Sequence, residues 1–184
     1  MKILAIAASN SRDGINRRLI GHAVRLLEGG IVPDAEVEVL DLNDYEMPIY
    51  STERQHELGV LEPAQRFFAA VGAADAVVIS YAEHNGSYTV AWKNLYDWAS
   101  RIDMQVWQGR KLAMFATSPG SRGGAGVLEL ATTTAPFFGA DLVGSLSIPR
   151  FGEAFDVAAG ELSDPELRTE FEKVLSALAA PENP

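Results

Sequence analysis

The chain has 184 residues, 47% of them hydrophobic, no cysteine, and a formal net charge of −10 at pH 7. That length can bury a sizeable core in one domain, and the lack of cysteine excludes disulfides, thiol catalysis and iron–sulfur ligation. The acidic balance, with no basic stripe, speaks against a nucleic-acid partner.

Residues 2–8, "KILAIAA", form a short apolar run suited to a strand buried on both faces. From Asn16 onward, Leu19, Ile20, Ala23, Leu26 and Leu27 fall on one face of a helix that Gly29-Gly30 stops. "AEVEVLDL" (35–42) alternates and reads as a strand with one wetter face, at a sheet edge. Leu58, Leu61, Phe67, Phe68 and Val71 predict helical structure around 57–72. "DAVVIS" (75–80) and "RKLAMFATS" (110–118) are further buried strands, and an aromatic helix lies between them. "VLELATTTAPFF" (127–138) reads mostly as helix, with Pro136 near its end, and "ADLVGSLSI" (140–148) as a fourth core strand. "SDPELRTEFEKVLSALA" opens on a capping signal at Ser163–Glu166. It then spaces Leu167, Phe171, Val174, Leu175 and Leu178 along one helical face. The tail from about residue 180 is expected to be disordered. The longest apolar runs, such as "AAVGAADAVVI", are too short and mixed to span a bilayer. With no secretory signal at the opening, a cytoplasmic protein without membrane contact is expected.

Strands alternating with helices predict an α/β protein whose parallel sheet is covered on both faces. Five strands in this length favour a flavodoxin-like three-layer sandwich of order 2-1-3-4-5, occupying residues 1–184 as a single domain. In that architecture ligands bind at the carboxyl ends of the strands. The informative loops are therefore those after residues 8, 80 and 117.

The first of these, "AASNSRDGIN" (7–16), offers Ser9, Asn10, Ser11, Gly14 and Asn16 at the start of a helix, where free N–H groups and the positive dipole end suit a phosphate. Arg12, Arg17 and Arg18 add local positive charge. The plainer alternative is that Ser9, Ser11 and Asn16 only cap the helix. The second loop carries Glu83-His84-Asn85-Gly86-Ser87, then Trp92, Tyr96 and Trp98 on one helix. Those aromatics either pack internally or form a subunit interface. The interface is the expectation, and with it a homodimer or homotetramer. His22 and His56 stand too far from His84 to suggest metal-ligand spacing, and no metal is expected. The third loop, "TSPGSRGGAG" (117–126), has four glycines in ten residues, letting the backbone approach a flat ligand closely. The chain has neither the G-x-G-x-x-G dinucleotide fingerprint nor a G-x-S-x-G nucleophile elbow.

Together these residues resemble the NAD(P)H-dependent FMN reductases, a group that includes chromate- and quinone-reducing flavoproteins. "ASNSRDGIN" is similar to their G-S-x-[RS]-x-x-S-x-N phosphate loop, and "SPGSRGG" to their S-x-G-x-x-G-G loop. "AEHNGSYTVAWKNLYDWASR" resembles P-E-Y-N-x-S-x-P-G-x-L-K-N-x-x-D-W, with Lys93-Asn94…Asp97-Trp98 the most specific element. Ala8, Gly14, Ala82, His84 and Thr89-Val90 depart from that pattern. The resemblance implies that Ser9, Ser11, Arg12, Ile15 and Asn16 hold the FMN phosphate and ribityl end. It implies that Glu83, His84, Asn85 and Gly86 line the isoalloxazine, and that Ser118, Gly120, Gly123 and Gly124 close the other side. NADPH or NADH would be the electron donor and a quinone-like or other small molecule the acceptor. No residue is assigned a proton-transfer role, because the cofactor carries the chemistry. Two alternatives stay open from the residues alone: a flavodoxin-like electron carrier without a nicotinamide site, and a non-enzymatic binding module on the same fold.

Overall fold

A strand buried on both faces has no use for alternating polarity, and three segments of this chain show none: KILAIAA, AVVISY and KLAMFAT. The computed structural model describes residues 1–180, so most of the expected tail lies outside the described residues. In chain order the elements are β1 (Lys2–Ala8), α1 (Ile15–Leu26), β2 (Glu36–Leu40), α2 (Thr52–Leu58), α3 (Glu62–Ala73), β3 (Ala76–Tyr81) and α4 (Val90–Ala99). There follow β4 (Lys111–Thr117), α5 (Ala125–Thr134), β5 (Asp141–Ile148), α6 (Phe151–Ala154), β6 (Phe155–Asp156), β7 (Glu161–Leu162) and α7 (Pro165–Ser176).

The five long strands pair in parallel in the order β2-β1-β3-β4-β5, the flavodoxin-like order expected. Ala8 lies beside Tyr81, Tyr81 beside Ala116 and Thr117 beside Ile148, so the strands end nearly flush. The loops after β1, β3 and β4 therefore leave the sheet side by side on one rim. On one face α3, α4 and α5 bring Phe67, Val71, Trp92 and Leu128 onto Leu4, Ile6, Ile79 and Met114. On the other, α1 and α7 bring Leu19, Ala23, Phe171 and Leu175 onto Ile3, Ala5, Val78 and Phe115. Each such buried Leu, Ile or Phe contributes roughly 1.5–3 kcal/mol relative to exposure. These two layers set the rim's geometry.

Four expectations need correcting. The helical stretch around 57–72 is two helices, α2 and α3. Gly59 ends α2 at φ +68°, and Pro63 sits in the first turn of α3. The fourth core strand is an edge strand among the described residues. No strand covers the far side of β5, which is only partly buried. The last helix is capped one residue later than expected, by Asp164, whose carboxylate accepts the N–H groups of Glu166 and Leu167.

The fourth concerns the aromatic helix. Trp92, Tyr96 and Trp98 are 1%, 9% and 0% exposed in the isolated chain, leaving them nothing to offer a second subunit. Trp92 stacks on Tyr96 and Trp107 at 5.6 and 6.0 Å, and Tyr96 meets Phe138 edge-on at 5.0 Å. The apolar spacing was real, but its partner is the chain's own core.

Candidate functional site

The rim begins with the turn between β1 and α1. Ser9 N–H donates to the Ala7 carbonyl at 2.8 Å, Ser11 N–H to the Ser9 hydroxyl at 3.2 Å, and Gly14 N–H to the Ser11 carbonyl at 3.2 Å. Gly14 is the residue before α1, and no side chain caps the helix. The capping alternative for Ser9, Ser11 and Asn16 therefore does not hold. Among the described residues, the backbone N–H groups of Arg12, Asp13, Ile15 and Asn16 have no protein acceptor. Such orphan donors at a helix start make a candidate anion site.

The Asn16 side chain does not belong to that site. It is 3% exposed, accepts from the Ser80 hydroxyl at 2.6 Å and donates to the Thr117 carbonyl at 3.4 Å. It braces α1 against the ends of β3 and β4, leaving only its backbone N–H at the turn. Arg17 is occupied by Asp41 at 2.7 Å. The Asp41 carboxyl is held down at about 2, first by the Asn43 backbone N–H, then by the Asn43 side chain and Arg17, against the effect of burial. Arg12 and Arg18 are exposed and form no ion pair among the described residues.

In the second loop His84 and Ser87 exchange backbone hydrogen bonds at 2.9 and 3.1 Å. Asn85 and Gly86 between them have φ of +53° and +76°, the signs a type I′ turn needs. A Cβ on Gly86 would meet nothing within 4 Å, so the turn's tip faces open space. Glu83 points elsewhere: its carboxylate accepts the Val127 N–H at 2.8 Å and fastens this loop to the start of α5. Thr89, standing where proline is usual, caps α4 by accepting the Trp92 N–H and donates to the Ala8 carbonyl at 2.9 Å. It thereby ties the end of β1 to α4. Tyr88 packs on Tyr81 at 5.5 Å, and burial pushes both hydroxyls above their usual range.

The third loop contains glycines of two kinds. A Cβ on Gly123 would lie 2.6 Å from the Ser147 hydroxyl and 2.7 Å from the Ile148 backbone, and one on Gly124 would lie 3.1 Å from the Ala116 Cβ. Both have positive φ, and both serve close packing on the sheet rather than a ligand. Gly120 faces open space, with only the Ser118 hydroxyl at 3.9 Å. Ser118 and Gly120 carbonyls accept from the Phe151 and Arg150 N–H groups, a segment with no motif to mark it as part of the rim.

Beside the first two loops lies a cleft of about 430 Å³, lined by Asn10, Tyr45, Met47, Ile49, His84 and Thr89 among others. Of the candidate residues on the three loops, Asn10 and His84 reach it. Its far wall, residues 42–49, was missed because nothing in its local pattern marks it. Its attachment to the rim comes from α4, more than forty positions later in the chain. Among the described residues no three His, Asp or Glu side chains converge, and no helix is long and apolar enough to cross a membrane.

Residues 1–152 match the family model described as NADPH-dependent FMN reductase. An NAD(P)H-dependent FMN reductase of Pseudomonas aeruginosa is 29% identical over 180 residues, spanning 97% of this chain and 93% of the relative. A 2-hydroxy-1,4-benzoquinone reductase of Burkholderia sp is 32% identical over 126 residues, spanning 68% of this chain and 64% of the relative. Among solved structures, FerB, a flavoenzyme NAD(P)H:(acceptor) oxidoreductase of Paracoccus denitrificans, superposes with a TM-score of 0.73 at 24% identity, over 97% of this chain and 94% of FerB.

Proposed function

The chain belongs to the NADPH-dependent FMN reductase family, and from that premise we propose that the orphan N–H groups at the start of α1 hold the phosphate of FMN. The protein is an NAD(P)H-dependent flavoprotein oxidoreductase with FMN as cofactor. When bound, FMN would supply two-electron redox chemistry between NADH or NADPH and a small acceptor. In this reading Ser9 and Ser11 offer hydroxyls to the phosphate. Arg12, Asp13, Ile15 and Asn16 offer N–H groups, and Arg12 adds charge against the net −10 of the molecule.

The 84–87 turn and the Ser118–Gly120 backbone flank the ring end. Glu83, Gly123, Gly124 and the Asn16 side chain hold these loops in place without touching the cofactor. A quinone is the acceptor we favour, supported by the benzoquinone reductase among the relatives and by the part-apolar cleft beside His84. The open space at Gly86 and the inward packing of Tyr88 leave room for a nicotinamide, which a pure electron carrier does not need. A homodimer also belongs to this reading, carried by the exposed Val90 at the start of α4 rather than by the buried tryptophans. The absence of cysteine suits a reducing cytoplasm.

The uncapped helix start carries the reading. It is tested by titrating the flavin-free protein with FMN and with riboflavin, following flavin fluorescence. FMN should bind at least about tenfold more tightly, since a charge-assisted phosphate site is worth more than 1.4 kcal/mol. Equal affinities would show the turn to be only a turn.

A further inference from the structure

Residues 46–50, EMPIY, have no regular secondary structure, yet Met47 and Ile49 form part of the cleft wall. A segment without ladder hydrogen bonds keeps one shape only when something else holds it. Here α4 does so with four hydrogen bonds. The Asn94 side chain accepts from the Tyr50 N–H at 2.9 Å and donates to the Met47 and Pro48 carbonyls at 3.0 and 3.2 Å. The Trp98 indole N–H donates to the same Pro48 carbonyl at 2.8 Å, and Tyr50 stands edge-on against Trp98 at 5.2 Å. One amide thus satisfies three backbone groups of a strap whose remaining ties are Trp98 and, from α2, Arg54 on the Ile49 carbonyl and Gln55 on the Tyr50 hydroxyl.

We propose that this strap sets acceptor specificity, its Met47 and Ile49 side chains forming the apolar wall against which a flat ring system lies, and that Asn94 is the positioning residue that holds it. The proposal rests on the functional reading above and adds the acceptor's contact surface to it. Asn94 also borders the cleft, but its side-chain hydrogen bonds all go to the strap, so its role is to position the backbone it grips. Asn94→Asp keeps the acceptor for Tyr50 but loses both donated bonds, whereas Asn94→Leu loses all three.

The experiment uses the FMN-loaded protein with a naphthoquinone as probe. Asn94→Leu should raise the quinone KM by about tenfold with kcat and FMN affinity changed less than about twofold, the split expected when binding alone is lost. Asn94→Asp should fall between it and the parent. Faster hydrogen exchange at the Tyr50 amide of the flavin-free variant is the readout independent of turnover. Ile49→Ala, at an exposed position that cannot unfold the chain, should also raise KM and decides alone if Asn94→Leu fails to fold. An unchanged KM in the folded variants overturns the proposal, as does unchanged Tyr50 exchange in Asn94→Leu. A parent protein that binds FMN but reduces no quinone overturns the functional reading instead, and this proposal with it.

Discussion

His22 is 3% exposed, stacked on Phe171 at 5.3 Å, and its Nε2 has no hydrogen-bond partner. Burial is the main reason its pKa falls from 6.5 to about 4. Arg25 on the same helix and Arg168 on α7 push the same way, and Glu161 on β7 opposes them. The folded-state pKa lies below the unfolded one, so the fold favours neutral His22. That stability is present above about pH 6.5 and is lost as pH falls toward 4, by an amount on the order of 3 kcal/mol. A His22→Phe variant should therefore melt higher than the parent at pH 5 and close to it at pH 8. A constant difference between the two would remove His22 as the cause. Glycines test the rim in the same way. Gly123→Ala combines a positive φ with backbone overlap and should cost about 2–4 kcal/mol in denaturant melts. Gly86→Ala has the strain without the overlap, and about 1 kcal/mol is expected. Equal losses would mean that the tip at Gly86 is not open.

Elements explain why some of this was legible in the sequence and some was not. β1, β3 and β4 announce themselves because burial on both faces requires unbroken apolar runs. The three loops on the rim followed, since strand order alone places them together. The aromatic helix shows the limit: periodicity says that Trp92 and Trp98 are covered, not by what. Gly59 and Pro63 did carry the signal that divides α2 from α3. The cleft's far wall carried none, because Asn94 and Trp98 hold it across the chain. Roles were harder still. Glu83 and Asn16 sit in ligand-type motifs, yet their side chains are spent on α5 and on the strand ends. Glu83→Ala removes the cap on the Val127 N–H and should lower stability by about 1 kcal/mol. FMN affinity should fall by less than that, since no contact to the cofactor is lost. A loss of FMN binding without a loss of stability would return Glu83 to the ligand.

At the scale of the whole molecule, two helical layers fix a sheet whose flush strand ends present unpaired helix-start N–H groups, an open turn and a cleft on one rim. Light scattering at micromolar concentration should report a dimer that Val90→Glu dissociates, and a monomeric parent would end that part of the reading. The most direct test is anaerobic mixing of the FMN-loaded protein with NADH and with NADPH while the flavin absorbance is followed. At least one of them should bleach the yellow band without any partner protein, and an added quinone should restore it. A band that neither nicotinamide bleaches, while a chemical reductant does, would contradict an NAD(P)H-dependent reductase.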